Sequence, residues 1–476
     1  MKQTRRIALV MAPLLLSACA LQTPPTAVSA NPPAQWFTPV PDLPHQGSLT
    51  DLSQWWQAQG DPLLVELIAA AQAVSPSVAT ARSRIEQARA SRVAAGAALL
   101  PSLDGLTNIS RARSQPLIPA PASTGTTARA GLQTAWELDL WGGLRANRKA
   151  AQLRYEGAQA QWHDARVLVA AEVANQYYSQ RNCEQLLVVA RSDAASRAET
   201  NRLAALSAGA GFTAPATAAL ARASAAEGNS RATQQAALCE LDIKALVALT
   251  ALPEPDLRSK LALATVGIAQ TATISIASVP AHALAQRPDV FNAQREVAAA
   301  SAEVGNAEAA RYPSLRLSGA VTANTFRSDG LRADFNTWSI GPLALSIPLL
   351  HGGRVDAEIK AAQARYEDAA ASYRGRVRQA VREVEEALVN LQSTAARSDD
   401  ARTAEQGYRA AFAGIQALYQ NGLASLIELE DSRRSQLAAE TALLSLQRER
   451  ASAWVALYRA MGGGWTPALD SAAARP

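Results

Sequence analysis

Residues 313–322 read PSLRLSGAVT, and their side chains alternate between two kinds. Leucine, glycine or valine stands at positions 315, 317, 319 and 321, whereas small or polar residues and Arg316 stand between them. A period of two with one apolar face predicts a β-strand after Pro313. A second run with strand character, residues 337–347, follows the turn-rich stretch 328–330. This part of the chain therefore contains two strand candidates.

The tripeptide Pro-Ser-Leu that opens this strand occurs twice, beginning at Pro101 and at Pro313, which are 212 residues apart. The same offset relates Pro76 to Pro288, each of which precedes a predicted helix. Alanine matches between Ala-rich helices mean little, but prolines and glycines at a constant offset are informative. They indicate two tandem copies of one structural unit.

A very long helix is predicted after the Gly-Gly pair of each copy. The apolar positions after Gly353 follow helical steps of three and four, with one step of seven. They are Val355, Ile359, Ala362, Tyr366, Ala369, Tyr373, Val377, Val384, Leu388 and Leu391. A run of about 60 residues, from 353 to about 413, would be about 90 Å long. Such a rod favours a tube or a coiled-coil bundle over an ordinary globular core.

Each copy offers two strand candidates of about ten residues, the length that crosses a bilayer when tilted. In the first copy the second candidate is 132–140, after a Pro-, Ser- and Thr-rich loop at 114–129 that we expect to be exposed. Four strands cannot close a membrane barrel, and an open edge is not tolerated in lipid. The strands are either soluble hairpins or parts of one barrel shared by several chains. Trp136, Trp141 and Trp338 suit either an interfacial aromatic belt or ordinary packing.

The N-terminus predicts export and lipidation. Lys2, Arg5 and Arg6 precede a ten-residue apolar run that is too short to span a bilayer. Leu-Ser-Ala-Cys then ends at Cys19 and resembles a bacterial lipobox, which implies cleavage before Cys19 and acylation of its thiol, a palmitate-type modification. Ala20 follows in place of aspartate, which favours the outer membrane. The alternative is an ordinary signal peptide with an incidental cysteine.

The expected organisation of the chain follows from these patterns. It is a signal peptide (1–18), a lipid-anchored segment (19–60), a first repeat (61–253), a linker (254–280), a second repeat (281–465) and a C-terminal tail (466–476).

Composition argues against nucleic-acid binding and gives little support to catalysis. The formal net charge of +5 falls to +2 without the three basic residues of the signal peptide, and charges of both signs alternate as on solvated helix faces. The four histidines (His45, His163, His282 and His351) are scattered, without metal-binding spacing. We therefore expect no enzyme activity, no metal, and no cofactor besides the lipid on Cys19.

The chain resembles the outer-membrane factors of tripartite efflux pumps, the TolC/OprM-like proteins, and most closely their lipoprotein (NodT-type) branch. The matching pieces, spread over nearly the whole mature chain, are Trp55-Trp56 with Asp61-Pro62-Leu63, Arg287-Pro288-Asp289-Val290, both Pro-Ser-Leu openings, Trp136-Glu137-Leu138-Asp139-Leu140-Trp141-Gly142, Ser346-Ile347-Pro348-Leu349, and Leu457-Tyr458-Arg459-Ala460-Met461-Gly462-Gly463-Gly464-Trp465. The resemblance implies a mainly α protein with membrane β. Three chains would form a 12-stranded β-barrel, four strands from each, continued by a 12-helix periplasmic α-barrel. It also implies a passive efflux or export channel with multidrug-resistance relatives.

The resemblance implies a periplasmic aperture at the second helical tip. Tyr419, Glu428, Asp431 and Arg434 match its pattern, although Glu428 replaces the commoner aspartate. The alternative is a solvated helix face with routine i,i+3 pairs. The tips themselves are placed at Gly209, Gly211, Asn421 and Gly422, where glycine and asparagine permit the positive φ angles of a tight turn.

Cys183 and Cys239 are equidistant from Gly211, 28 residues to each side. If the first hairpin turns there, the two cysteines lie side by side on antiparallel helices, and in an oxidising compartment we expect a disulfide. Two buried free thiols are the alternative.

The partners implied by the resemblance are two further copies of the chain, a periplasmic adaptor, an inner-membrane transporter and outer-membrane lipid. Two other readings remain open: the chain is itself a periplasmic coiled-coil adaptor, or it is a structural lipoprotein. The exported compound cannot be read from the sequence.

Overall fold

The computed structural model describes residues 21–38, 54–115, 122–264, 284–328 and 330–465. The predicted signal peptide, Cys19 and the tail 466–476 lie outside these residues. Within them the chain forms nine helices and four strands. In chain order these are α1 (Trp55–Ala58), α2 (Pro62–Val74), α3 (Pro76–Ala97), β1 (Ser102–Ser114), β2 (Ser123–Leu138), α4 (Gly143–Gly209), α5 (Pro215–Thr250), α6 (Glu254–Leu263), α7 (Pro288–Ala309), β3 (Ser314–Ser328), β4 (Leu331–Ser346), α8 (Arg354–Gln420) and α9 (Leu426–Ala460).

The order helix, two strands and helical hairpin occurs twice. The helices α4 and α8 have 67 residues each, about 100 Å of helix at 1.5 Å per residue. Both continue further than the sequence pattern suggests, because the hairpin turns come only at the glycines after Gly209 and Gln420. In the predicted linker the structure contains α6, and residues 265–280 of that linker lie outside the described part of the chain.

The strands are longer than predicted. β2 begins at Ser123, so that residues 123–129 of the expected loop are strand, and β4 begins at Leu331 instead of 337. The ladder explains the difference. Ser123 pairs with Ser114 on β1 and Leu331 with Ser328 on β3. The backbone of the neighbouring strand extends the pairing where side chains no longer alternate.

The division of contacts gives two compact units, both discontinuous in sequence. The first unit contains the sheet and comprises residues 1–30, 83–158 and 292–374. Its four antiparallel strands follow the order β1-β2-β3-β4, so that β1 and β4 form the two edges. Ala150 and Leu153 of α4 pack on Ala298 and Ala299 of α7 near the sheet.

Two indole groups hold the lower ends of the strands in this unit. Trp136 Nε1 donates to the carbonyl oxygen of Leu99 at 3.0 Å, and Trp141 Nε1 donates to that of Pro313 at 2.7 Å. Trp338, by contrast, is 75% exposed on the sheet. Trp136 and Trp141 therefore have packing roles, whereas Trp338 is free to meet lipid.

The second unit comprises residues 31–82, 159–291 and 375–476 and contains the largest hydrophobic core. Trp55 stacks on Tyr458, and Trp56 meets the same ring edge-on. Asp61 caps α2 by accepting from the backbone N–H of Leu64, and it also accepts from the Tyr177 hydroxyl at 2.6 Å. The Trp-Trp and Asp-Pro motifs thus fix the start of the first repeat onto the last helix.

The apolar stripe predicted on α8 is largely confirmed. Val355, Ile359 and Ala362 are buried in the first unit, and Val384 and Leu388 are buried in the second. Among the described residues no single helix is long and apolar enough to cross a membrane, although the bent pair α2–α3 passes such a test by length and composition.

Candidate functional site: the tips of the two helical hairpins

Both hairpins turn in the same way. At the first tip the backbone N–H of Phe212 donates to the carbonyl of Ser207, and at the second Leu423 donates to Leu418, each at 2.9 Å. This six-to-one bond is that of a Schellman motif, which needs a left-handed residue just past the helix. Gly211 and Gly422 supply it, with φ of +81° and +74°.

The other two predicted tip residues do not adopt positive φ. Gly209 is the last residue of α4. Asn421 does not have a positive φ, and instead its Nδ2 donates to the carbonyl of Ala417 at 2.8 Å. One left-handed residue per turn is enough to reverse the chain, so the expectation for Gly209 and Asn421 was wrong in this respect.

Three of the four predicted aperture residues are exposed on α9. Glu428 closes a capping box, because its carboxylate accepts from the Ser425 N–H at 2.6 Å and its own N–H donates to Ser425 Oγ. The hydrogen bond from that backbone N–H lowers the pKa of Glu428. Asp431 pairs with Arg434 at 3.4 Å, with both side chains mostly exposed. The aperture assignment for these residues stays a prediction.

The fourth residue, Tyr419, lies apart from those three. It packs with Phe412 and Ile415 against a small buried cluster made of Ala204, Ala221, Leu426 and Leu429. Burial raises the pKa of its phenol. The ring therefore helps to hold the second tip against helices α4 and α5 of the first hairpin.

A buried ion-pair network lies just above that cluster and joins the two hairpins. Arg197 on α4 is 4% exposed, and its Nη1 lies 2.8 Å from Glu430 Oε2 on α9. Ser224 on α5 donates to the same carboxylate oxygen at 2.8 Å. Asp193, one turn before Arg197, accepts from its Nε. Glu430 thus bonds to both helices of the first hairpin.

Arg433 completes the network from the second hairpin. It is 2% exposed, pairs with Glu430, and donates to Ser196 Oγ at 3.1 Å and Thr200 Oγ1 at 3.0 Å. Its guanidinium also lies over the ring of Phe412. Burial lowers the pKa of Arg433, while Glu430 acts in the opposite direction. Such a group is stable only while its partners stay in place.

A glycine makes room for this network. A Cβ at Gly228 on α5 would come within 2.7 Å of Arg197 Cδ and 3.4 Å of the Ala194 backbone. Helix α5 therefore passes closely over the Arg197 side chain, which keeps the ion pairs out of water.

The charges of this network escaped the sequence analysis, which treated all helical charges as solvated. The pairs Asp193–Arg197 and Glu430–Arg433 have ordinary i,i+4 and i,i+3 spacing. The pattern that selected 428, 431 and 434 describes the neighbouring, exposed face of α9. The available signal was that Leu426 and Leu429 put residue 433 on the apolar side of the helix.

The two predicted disulfide cysteines come together further along the first hairpin. Cys183 on α4 and Cys239 on α5 are both buried and form a disulfide with a Cα–Cα distance of 5.4 Å. Elsewhere in the described residues no group of three or more His, Cys, Asp or Glu side chains could hold a metal ion.

Comparison with known proteins identifies the family. The profile described as outer membrane efflux protein matches residues 67–252 and 279–463. The chain belongs to this family. It is 31% identical to the pyoverdine export outer membrane protein OpmQ of Pseudomonas putida, across 97% of this chain and 98% of that protein. It is 28% identical to nodulation protein T of Rhizobium leguminosarum bv. viciae, across 97% and 94%. The structure of the outer-membrane channel OprN matches with a TM-score of 0.83 at 25% identity, over 94% of this chain and all of that one.

These matches confirm the predicted fold class and the predicted function. The outer membrane efflux proteins are mainly α with membrane β, and they form trimeric channels with four strands per chain, in which a β-barrel continues as an α-barrel. The protein is the outer-membrane channel of a tripartite efflux or export system, with its helices in the periplasm. The alternative reading as an adaptor gains no support.

Proposed function

We propose that the chain works as a homotrimeric, passive conduit across the outer membrane. The observation that carries this proposal is the sheet, which has one apolar face and two unpaired edges, β1 and β4. An open edge in lipid leaves backbone groups unsatisfied at a cost of several kcal/mol each. Three copies give twelve strands, and pairing β4 of one copy with β1 of the next removes every edge.

The conduit has no catalysis of its own and is anchored by lipid on Cys19. A periplasmic adaptor docks at the hairpin tips, and an inner-membrane transporter supplies the energy and selects the cargo. Relatives with names as different as pyoverdine export and solvent efflux support this division of labour.

The conduit opens at its tips when the second hairpin moves away from the first. The buried network is the contact that must break, because Glu430 and Arg433 on α9 hold Arg197, Ser196 and Ser224 across the hairpin boundary. Exposed ion pairs contribute less than about 1 kcal/mol, whereas breaking a buried one costs about 3–5 kcal/mol. The network therefore sets the closed state more strongly than the surface charges do.

Single-channel conductance in planar bilayers tests this proposal. Wild-type trimers should conduct little at rest, and Glu430→Gln should raise the open probability at least tenfold. The matched control is Glu449→Gln on the same helix, which removes an exposed pair with Arg397 and should leave gating unchanged. A wild-type protein without any conductance under all conditions would refute the conduit. Equal conductance of the wild type and Glu430→Gln would refute only the role of the network in gating.

A further inference from the structure

The two faces of the sheet differ in chemistry. The register places Thr322, Asn324 and Thr337 on one face, where Thr322 and Asn324 are buried and bonded to Thr337. Arg129 on the same face donates to Asn324. This is the inner face. The outer face carries the exposed apolar residues Leu103, Ile109, Leu132, Val321, Trp338, Ile340, Leu343 and Leu345.

The apolar character of the outer face stops at one transverse row. Arg111 on β1 lies opposite Thr126 on β2, which pairs with Arg327 on β3, which in turn pairs with Arg332 on β4. Three of the four residues in this row are arginines, and all three are exposed. We call Arg111, Arg327 and Arg332 the outward arginine row.

The height of this row matches the thickness of a membrane. The outer-face row at the other end of the sheet is Leu138, Leu315 and Leu345. From Leu315 to Arg327 there are twelve residues along β3, about 40 Å of strand. At a tilt of about 40° this is about 30 Å along the membrane normal, the thickness of the hydrocarbon core. The arginine row therefore lies at the level of the outer-leaflet headgroups.

The row carries more positive charge than the protein neutralises. Arg332 pairs with Asp334 at 2.9 Å, and Asp334 also accepts from Thr325. Within the described residues no carboxylate lies at ion-pair distance from Arg111 or Arg327. Arg327 and Arg332 face each other directly on neighbouring strands, and like charges in that arrangement repel. An anion between them would remove the repulsion.

We propose that the outward arginine row binds the phosphate groups of a phosphorylated glycolipid of the outer leaflet. Guanidinium groups bind phosphate through two parallel N–H···O bonds, and basic clusters at the membrane surface recognise anionic headgroups. The acyl chains of such a lipid would cover the apolar rows below. This inference rests on the proposed function, because that function places the outer face in lipid.

Binding of bisphosphorylated lipid A to the full-length protein in maltoside micelles tests the proposal. Arg111→Gln/Arg327→Gln/Arg332→Gln should bind at least tenfold more weakly than the wild type. The charge-matched control removes the exposed helix arginines Arg222, Arg448 and Arg450 and should bind like the wild type.

Two further probes identify the source of the phosphate. Dephosphorylated lipid A should bind the wild type at least tenfold more weakly, and inorganic phosphate at millimolar concentration should not displace lipid A. Equal binding of lipid A by the wild type and the triple variant would overturn the proposal, as would full competition by inorganic phosphate. Conductance should be unchanged in the triple variant, so that loss of the conduit and loss of lipid binding are separate results.

Discussion

Asp164 shows how a single residue can make stability depend on pH. It is a partly buried carboxyl on α4, next to a charged cluster that centres on Arg287. Arg287 pairs with Asp289 and Glu383, each at 2.8 Å, and donates to the carbonyl of Ala460 at 3.0 Å. Burial, together with the charge of Asp289, raises the pKa of Asp164 to about 6, although Arg287 and Arg376 act against this.

The sign of the effect follows from linkage. The pKa of Asp164 in the unfolded chain is near 3.8 and that in the folded protein is about 6. The folded protein holds the extra proton in this interval, so its free energy of unfolding falls as the pH rises from about 4 to about 6. We predict that Asp164→Asn melts a few degrees higher than the wild type at pH 7.5, a gain on the order of 2 kcal/mol.

Thermal melting of both proteins between pH 4 and pH 8 checks this prediction. The gain should shrink towards zero near pH 4. Asp399→Asn, which alters an exposed i,i+3 pair with Arg402, should show no such trend. A constant difference between Asp164→Asn and the wild type across this range would contradict the assignment.

At the scale of elements, the first hairpin is closed at its tip by Gly211 and stapled further up by Cys183 and Cys239. The staple closes a loop with a sequence separation of 56 residues, which corresponds to about 4 kcal/mol in the chain-entropy model. The second hairpin has no cysteine, so within the described residues only its packing and ion pairs hold α8 to α9. The two hairpins are therefore built alike but fastened differently.

We predict that Cys183→Ser/Cys239→Ser lowers the melting temperature and exposes the first hairpin to protease before the second. Dithiothreitol should produce the same loss in the wild type and none in the double variant. Peptide mapping of periplasm-exported protein under non-reducing conditions is the direct check. If both thiols were found free, the staple would be absent in the cell.

At the scale of the whole molecule, the mass of the detergent-extracted protein is the decisive quantity. One chain has a mass of 50.1 kDa, so we predict about 150 kDa for the protein part, by light scattering corrected for detergent. The edges β1 and β4 give the physical reason, since three copies leave no unpaired strand. A monomer that stays dispersed in aqueous buffer after removal of detergent and lipid would contradict the shared barrel.

Much of the fold could be predicted from the sequence because its signals are local. The period-two run after Pro313 gave a strand, and the heptad-like stripe from Val355 to Leu391 gave a buried helix face. The glycines at the tips gave the turns, and the symmetric spacing of Cys183 and Cys239 about Gly211 gave their proximity. Each of these depends on the period of one element or on chain distance within one hairpin.

Only the tertiary structure decided which charges are buried and which face of the sheet is outward. Arg197, Glu430 and Arg433 look like surface residues in sequence, because their pairs have the spacing of any solvated helix. They are buried because two hairpins distant in sequence meet there. Arg111, Arg327 and Arg332 likewise form a row only through the register of strands that lie more than 200 residues apart in the chain. Period and spacing are properties of a segment, whereas burial and register depend on the partner segment, which the local sequence does not specify.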